Sequence, residues 1–175
     1  RQIELQSRTI LAVESLLTDE EGNVWAGDIN ALYKITADEV NRVHFNQVTT
    51  IRLQPHASFN KRVFALAADS KQNIYAGSYD GIFRIKKNAG GYENVWTNPE
   101  PRNPVRSIAA VSPDSIFWNC LDRHPAQMIN GKTTTGFAED FLGRTVFADH
   151  NKIFALTTSC VGEINNGKVN PVVSI

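Results

Sequence analysis

Three consecutive residues, Asp122, Arg123 and His124, stand inside the stretch LDRHPA (121–126) and are chemically equipped for more than packing. A carboxylate, a fixed cation and a ring that titrates near neutrality can serve as general acid and base, or clamp an anionic ligand. The competing reading is a solvated loop halted by Pro125. Arg102 and Arg106 flank Pro104. Paired guanidiniums hold a carboxylate or sulfate through bidentate hydrogen bonds, although arginines so placed also cover strand edges. Tyr79 and Asp80 in SYDG (78–81) and Asp28 in GDIN (27–30) complete the ligand-binding candidates. Asp28 and Asp80 also read as turn residues that hydrogen-bond their own backbone.

Other chemistries find no support. There is no GxSxG, neither cysteine has an adjacent histidine, and GxxxxGK[ST] does not occur. NGKTT (130–134) reads as a hairpin turn, echoed by NNGKV (165–169). His44 and His56 stand alone, the D-x-D-x-D-G spacing of a calcium loop is missing, and Cys120 and Cys160 lack CxxC spacing. We therefore expect no metal and no cofactor, and read the cysteines as buried small apolar residues in preference to a disulfide. Eighteen basic and eighteen acidic residues cancel, which argues against a nucleic-acid partner. The longest apolar run, VFALAA (63–68), is far short of the roughly 20 residues that span a bilayer, so no direct membrane insertion of this segment is expected. The chain opens on Arg1 without a basic-then-apolar leader, which reads as part of something longer.

The elements that position these residues emerge from an internal repeat. DEEGNVWAG (19–27), DSKQNIYAG (69–77), SPDSIFWNC (112–120) and ADHNKIFAL (148–156) are successive versions of one phrase. Each is followed by a second: ALYKI (31–35), GIFRI (81–85), AQMI (126–129) and VGEI (161–164). Aligning Trp25, Tyr75, Phe117 and Phe154 gives steps of 50, 42 and 37 residues, around the roughly 40 to 50 of a propeller blade. Period-two alternation and short polar turns recur, and no 3.6-residue apolar periodicity is sustained, so the chain is expected to be nearly all β. The repeated aromatic is expected to wedge between successive blades.

The pattern of Asp, short turn, GN(V/I)(W/Y)AG and (G)(L/I)(Y/F)(K/R)I resembles the propeller repeats in extracellular sensor regions of bacterial two-component regulators. The first two units match it well and residues 105–175 in outline. Asp28 and Ser78 replace the usual threonine, and Ala31 stands where the second unit has Gly81. The expected fold is a β-propeller with four blades of four antiparallel strands, spanning about 10–48, 62–97, 105–136 and 144–175, with residues 1–8 belonging to a preceding blade. An arc of a larger ring is preferred over a closed four-bladed ring of the hemopexin-like kind. An arc leaves apolar blade faces open at both ends, through which copies can self-associate.

Two functions follow. The preferred one is a non-enzymatic, periplasmic or extracellular sensor or interaction platform, binding a small molecule, carbohydrate or protein partner with loops gathered at one channel end. The alternative is part of a lyase-like or glycoside-active propeller enzyme, whose site would draw charged residues from several blades. Matching loops present no pair of carboxylates of the kind that glycoside hydrolysis uses, which favours the first.

Overall fold

The computed structural model describes residues 12–29, 32–37, 45–51, 62–86, 92–99, 103–121, 125–135, 145–165 and 168–175. These form sixteen strands in four antiparallel sheets of four, each sheet taking its strands in sequence order. The first holds β1 (Val13–Thr18), β2 (Val24–Asp28), β3 (Leu32–Ala37) and β4 (Phe45–Ile51). The second holds β5 (Ala65–Ala68), β6 (Ile74–Gly77), β7 (Gly81–Ile85) and β8 (Tyr92–Thr97). In the third are β9 (Val105–Ser112), β10 (Ser115–Cys120), β11 (Ala126–Ile129) and β12 (Lys132–Thr135). The fourth contains β13 (Thr145–Asp149), β14 (Lys152–Leu156), β15 (Cys160–Asn165) and β16 (Lys168–Ser174). The expected strand of residues 1–8 lies outside the described residues.

The first strand of each sheet packs against the first strand of the next, β1 on β5, β5 on β9 and β9 on β13. Among the described residues no contact of that extent joins β13 back to β1, so the described strands make an open series of four blades. The repeated aromatics fill the joints. Trp25 packs with Val63, Ile74 and Phe83 of the second blade, Tyr75 with Val105, Ile108 and Trp118 of the third, and Phe117 with Val146 and Ile153 of the fourth. Phe154 departs from the expected wedge. It stacks on Phe147 of its own sheet at 5.5 Å, and Phe147 remains exposed, because no blade follows on that side among the described residues.

Close approach explains the glycine of each AG pair. A Cβ on Gly27 would sit 2.6 Å from Val63, and one on Gly77 would sit 2.7 Å from Val105. The same two valines donate their backbone N–H to the carbonyls of Asp28 (2.9 Å) and Ser78 (3.1 Å) in the blade before. Joints between blades are thus made of one repeated contact, a branched side chain over a glycine beside a backbone hydrogen bond. Asn130 and Gly131 both have positive φ and connect the paired residues Ile129 and Lys132, so NGKTT is a two-residue hairpin turn.

The aspartate that opens each of the first two phrases organises its turn. Asp69 accepts from the backbone of Lys71 (2.8 Å) and Asn73 (3.0 Å), from Asn73 Nδ2 (2.8 Å) and from the Tyr75 hydroxyl (2.8 Å). Asp19 does the same for Glu21, Asn23 and Trp25 Nε1. Burial raises the Asp19 pKa, but hydrogen bonds from Trp25 and Asn23 outweigh it and leave the carboxyl below its ordinary 3.8. A carboxyl depressed in the folded state stabilises above its unfolded pKa, and that contribution is lost as pH falls through the folded value. Asp19→Asn should therefore flatten the loss of stability between about pH 5 and about pH 3. Urea titrations of both proteins at the two pH values check this, and an unchanged slope contradicts it.

Candidate functional site

The polar positions of the repeat sort into those that build the fold and those free to differ. Aligned on the aromatic, Asp28, Ser78, Cys120 and Thr157 occupy one position. Ser78 Oγ accepts from the Asp80 N–H at 3.0 Å, and Thr157 Oγ1 accepts from Ser159 (3.1 Å) and Cys160 (2.9 Å). This position caps the turn between second and third strands. A thiol caps poorly, and Cys120 is where the third blade departs into LDRHPA. Cys120 and Cys160 are free and buried, and burial pushes the Cys120 thiol up to about 11.

The first strand of each blade carries a second informative position. Val13, Val63 and Val105 each stand 12 residues before the repeated aromatic, and the residues after them are Glu14, Phe64 and Arg106. In β1 the register shifts between Val13 and Ser15, and in β9 the pairing of Cys120 with Val105 is followed by a shift before Asn119 pairs with Ser107. Glu14 and Arg106 are thus bulge residues, set outside the ladder and re-aimed. Phe64 sits at the same place, between Val63, bonded to the previous blade, and Ala65, paired with Gly77. Three unlike side chains stand side by side where their neighbours repeat.

They form one connected row. Arg62 donates through Nε to Glu14 at 2.9 Å, and its Nη2 lies 2.5 Å from the same oxygen. The Arg62 guanidinium lies 5.3 Å from the centroid of Phe64, and that of Arg106 lies 4.3 Å from it. Tyr79 meets Phe64 edge-on, with centroids 5.0 Å apart and planes at 78°. Phe64 is buried, Tyr79 half-buried and Arg106 exposed. Among the described residues no carboxylate pairs with Arg106 and no group hydrogen-bonds the Tyr79 hydroxyl. The row therefore combines an ion pair, an aromatic floor, and a guanidinium and a hydroxyl without polar partners among the described residues, placed where turns between second and third strands meet the starts of first strands.

Of the candidate residues, the structure brings Arg106 and Tyr79 together through Phe64. Asp28 and Asp80 lie at the same end with buried side chains, and their carbonyls serve the fold, Asp28 accepting from Val63 and Asp80 from Asn98 at 2.9 Å each. Asp122, Arg123, His124 and Arg102 lie outside the described residues, as do His44 and His56. Phe64, Arg62 and Glu14 escaped the sequence reading, which compared the aromatic phrase and not the residues preceding it. The signal was there: one alignment position occupied in turn by an acid, an aromatic and a base. Among the described residues no group of three or more His, Cys, Asp or Glu could hold a metal ion, and no helix is long and apolar enough to cross a membrane.

No protein-family model matches the chain, and no curated protein matches it in sequence. Solved structures do. The extracellular domain of the hybrid two component system BT4673 from B. thetaiotaomicron has a TM-score of 0.68 at 18% identity, covering 99% of this chain and 23% of that one. Virginiamycin B lyase from Staphylococcus aureus has a TM-score of 0.65 at 14% identity, covering 90% of this chain and 52% of the lyase. The WD40 beta propeller domain of Doa1 has a TM-score of 0.56 at 12% identity, covering 93% and 53% respectively. At these identities the likeness is one of fold, and the fold is the expected β-propeller. The chain spans between 23% and 53% of the length of each of these proteins.

Proposed function

We propose that the chain is a non-enzymatic segment of a periplasmic or extracellular sensor propeller that recognises its ligand at the row Glu14, Arg62, Phe64, Tyr79 and Arg106. The observation that carries this reading is the position directly after the repeated valine. The valine before it repeats in the first three blades, whereas this position changes from acid to aromatic to base. A position that keeps its backbone geometry and varies its chemistry is what a recognition surface on a repeat scaffold requires. The likeness of the fold to an extracellular two-component domain supports the sensor setting and the location.

An enzymatic reading has less support from the row. Its single carboxylate, Glu14, is already engaged by Arg62, whereas general acid and base work needs a group free to exchange a proton. Amide NMR titrations against pools of neutral and acidic sugars and dipeptides provide the test. Ligand-induced shifts should cluster on residues 62–64, 79 and 105–106, and no pool component should be consumed. Shifts confined to another surface, or turnover of a component, would overturn the proposal.

A further inference from the structure

We infer that the Arg106 and Tyr79 end of the row binds an oxyanion, a carboxylate or sulfate, carried by the ligand. This rests on the row being the recognition surface and names what it recognises. Two guanidiniums lie over Phe64, and among the described residues Glu14 is bonded to Arg62 and no carboxylate pairs with Arg106, which leaves the Arg106 charge unneutralised there. The site accordingly has an electrostatic preference for an anion.

Geometry adds to charge. A guanidinium held over a ring satisfies its face with π electrons and keeps its N–H edge for a planar acceptor, so stacking on Phe64 preorients Arg106 for a bidentate bond. Phe64 is itself fixed, buried and braced edge-on by Tyr79. Tyr79, which touches the same ring, carries a hydroxyl that can donate to an oxyanion's remaining lone pairs. Glucose as such offers no charge for Arg106, whereas glucuronate and glucose 6-sulfate do.

The test is a set of NMR or calorimetric titrations with glucuronate, glucose 6-sulfate, the dipeptide Gly-Gly and neutral glucose. The charged probes should shift residues around Phe64, with affinity falling as NaCl is raised, and glucose should bind at least tenfold more weakly. Arg106→Ala should weaken the charged probes by roughly 10- to 100-fold, the range for losing a charged hydrogen bond. Arg106→Lys should recover only part of that, since an ammonium lacks the planar fork. Glu14→Gln should act in the opposite direction and tighten binding, because it releases Arg62 as a second cation. A fall with one variant and a gain with the other cannot come from a general loss of folding. Glucose or another neutral probe binding at the row, with Arg106→Ala unchanged, would overturn the oxyanion and leave the recognition surface standing. The absence of any probe-induced shift at the row would overturn both.

Discussion

Gly81→Ala should cost at least about 4 kcal/mol, enough to leave much of the protein unfolded under ordinary conditions. Gly81 opens β7 with φ +135°, a backbone conformation that side-chain-bearing residues rarely adopt. Strain is the smaller part. A Cβ there would fall 1.9 Å from the Trp96 carbonyl oxygen, 2.9 Å from its carbon and 3.1 Å from the Asn98 nitrogen. All three are backbone atoms, and none can swing aside as a flexible side chain would. The loop is also pinned on both sides, since the Ser78 N–H bonds to the Gly81 carbonyl and the Asn98 N–H to the Asp80 carbonyl, each at 2.9 Å. Relief would require breaking a turn or moving β8 away from β7. Gly22→Ala is the matched control. Gly22 also has positive φ, +79°, but a Cβ there meets nothing within 4 Å, so its cost should stay near the roughly 1–2 kcal/mol of the conformation alone. Urea unfolding of both variants decides the matter, and a difference below about 1 kcal/mol would refute the close approach.

The number of blades and the alternation of their strands were legible because each blade buries the same face against the same neighbour. That requirement writes an aromatic, a small residue and a branched residue at matched intervals, as in Trp25, Gly27 and Val63. Phe154 was read as one more wedge because its sequence context is the same as that of Phe117. Whether a wedge is filled depends on what stands on its far side, and a residue's own neighbours in sequence do not encode that. The site was legible in part for a related reason. Arg106 and Tyr79 stood out as polar residues beside turns, but Phe64 looked like one more apolar residue in VFALAA. Its role comes from standing in line with the bulge residues Glu14 and Arg106, and a bulge re-aims a side chain without changing the composition around it. The alignment puts Glu14, Phe64 and Arg106 at one position, and the structure adds that side chains from it meet in one row.

Asp69→Ala should be the second costly substitution, at about 3–4 kcal/mol, and should exceed Asp19→Ala by about 2. Both carboxylates organise the same turn, so their difference isolates burial. Asp69 is 3% exposed and satisfies four donors, of which the Tyr75 hydroxyl is fully enclosed between the second and third blades. Removing the acceptor strands the proton of that hydroxyl, whose oxygen keeps its bond from Arg84, together with both nitrogens of Asn73, and a buried donor left without a partner costs about 1–3 kcal/mol. Solvent cannot replace the lost oxygen at Tyr75, which is 0% exposed. Around Asp19 solvent reaches the half-buried carboxylate and the exposed Glu21, although Asn23 and Trp25 donate from buried residues. Tyr75→Phe distinguishes the hydroxyl from the ring. It removes donor and hydrogen bond together and keeps the wedge, so it should cost only about 1 kcal/mol, and combining it with Asp69→Ala should cost less than the two added. A double-mutant cycle read by urea unfolding measures that coupling. Strict additivity would mean that the aspartate stabilises its turn alone and that the joint between blades does not depend on it.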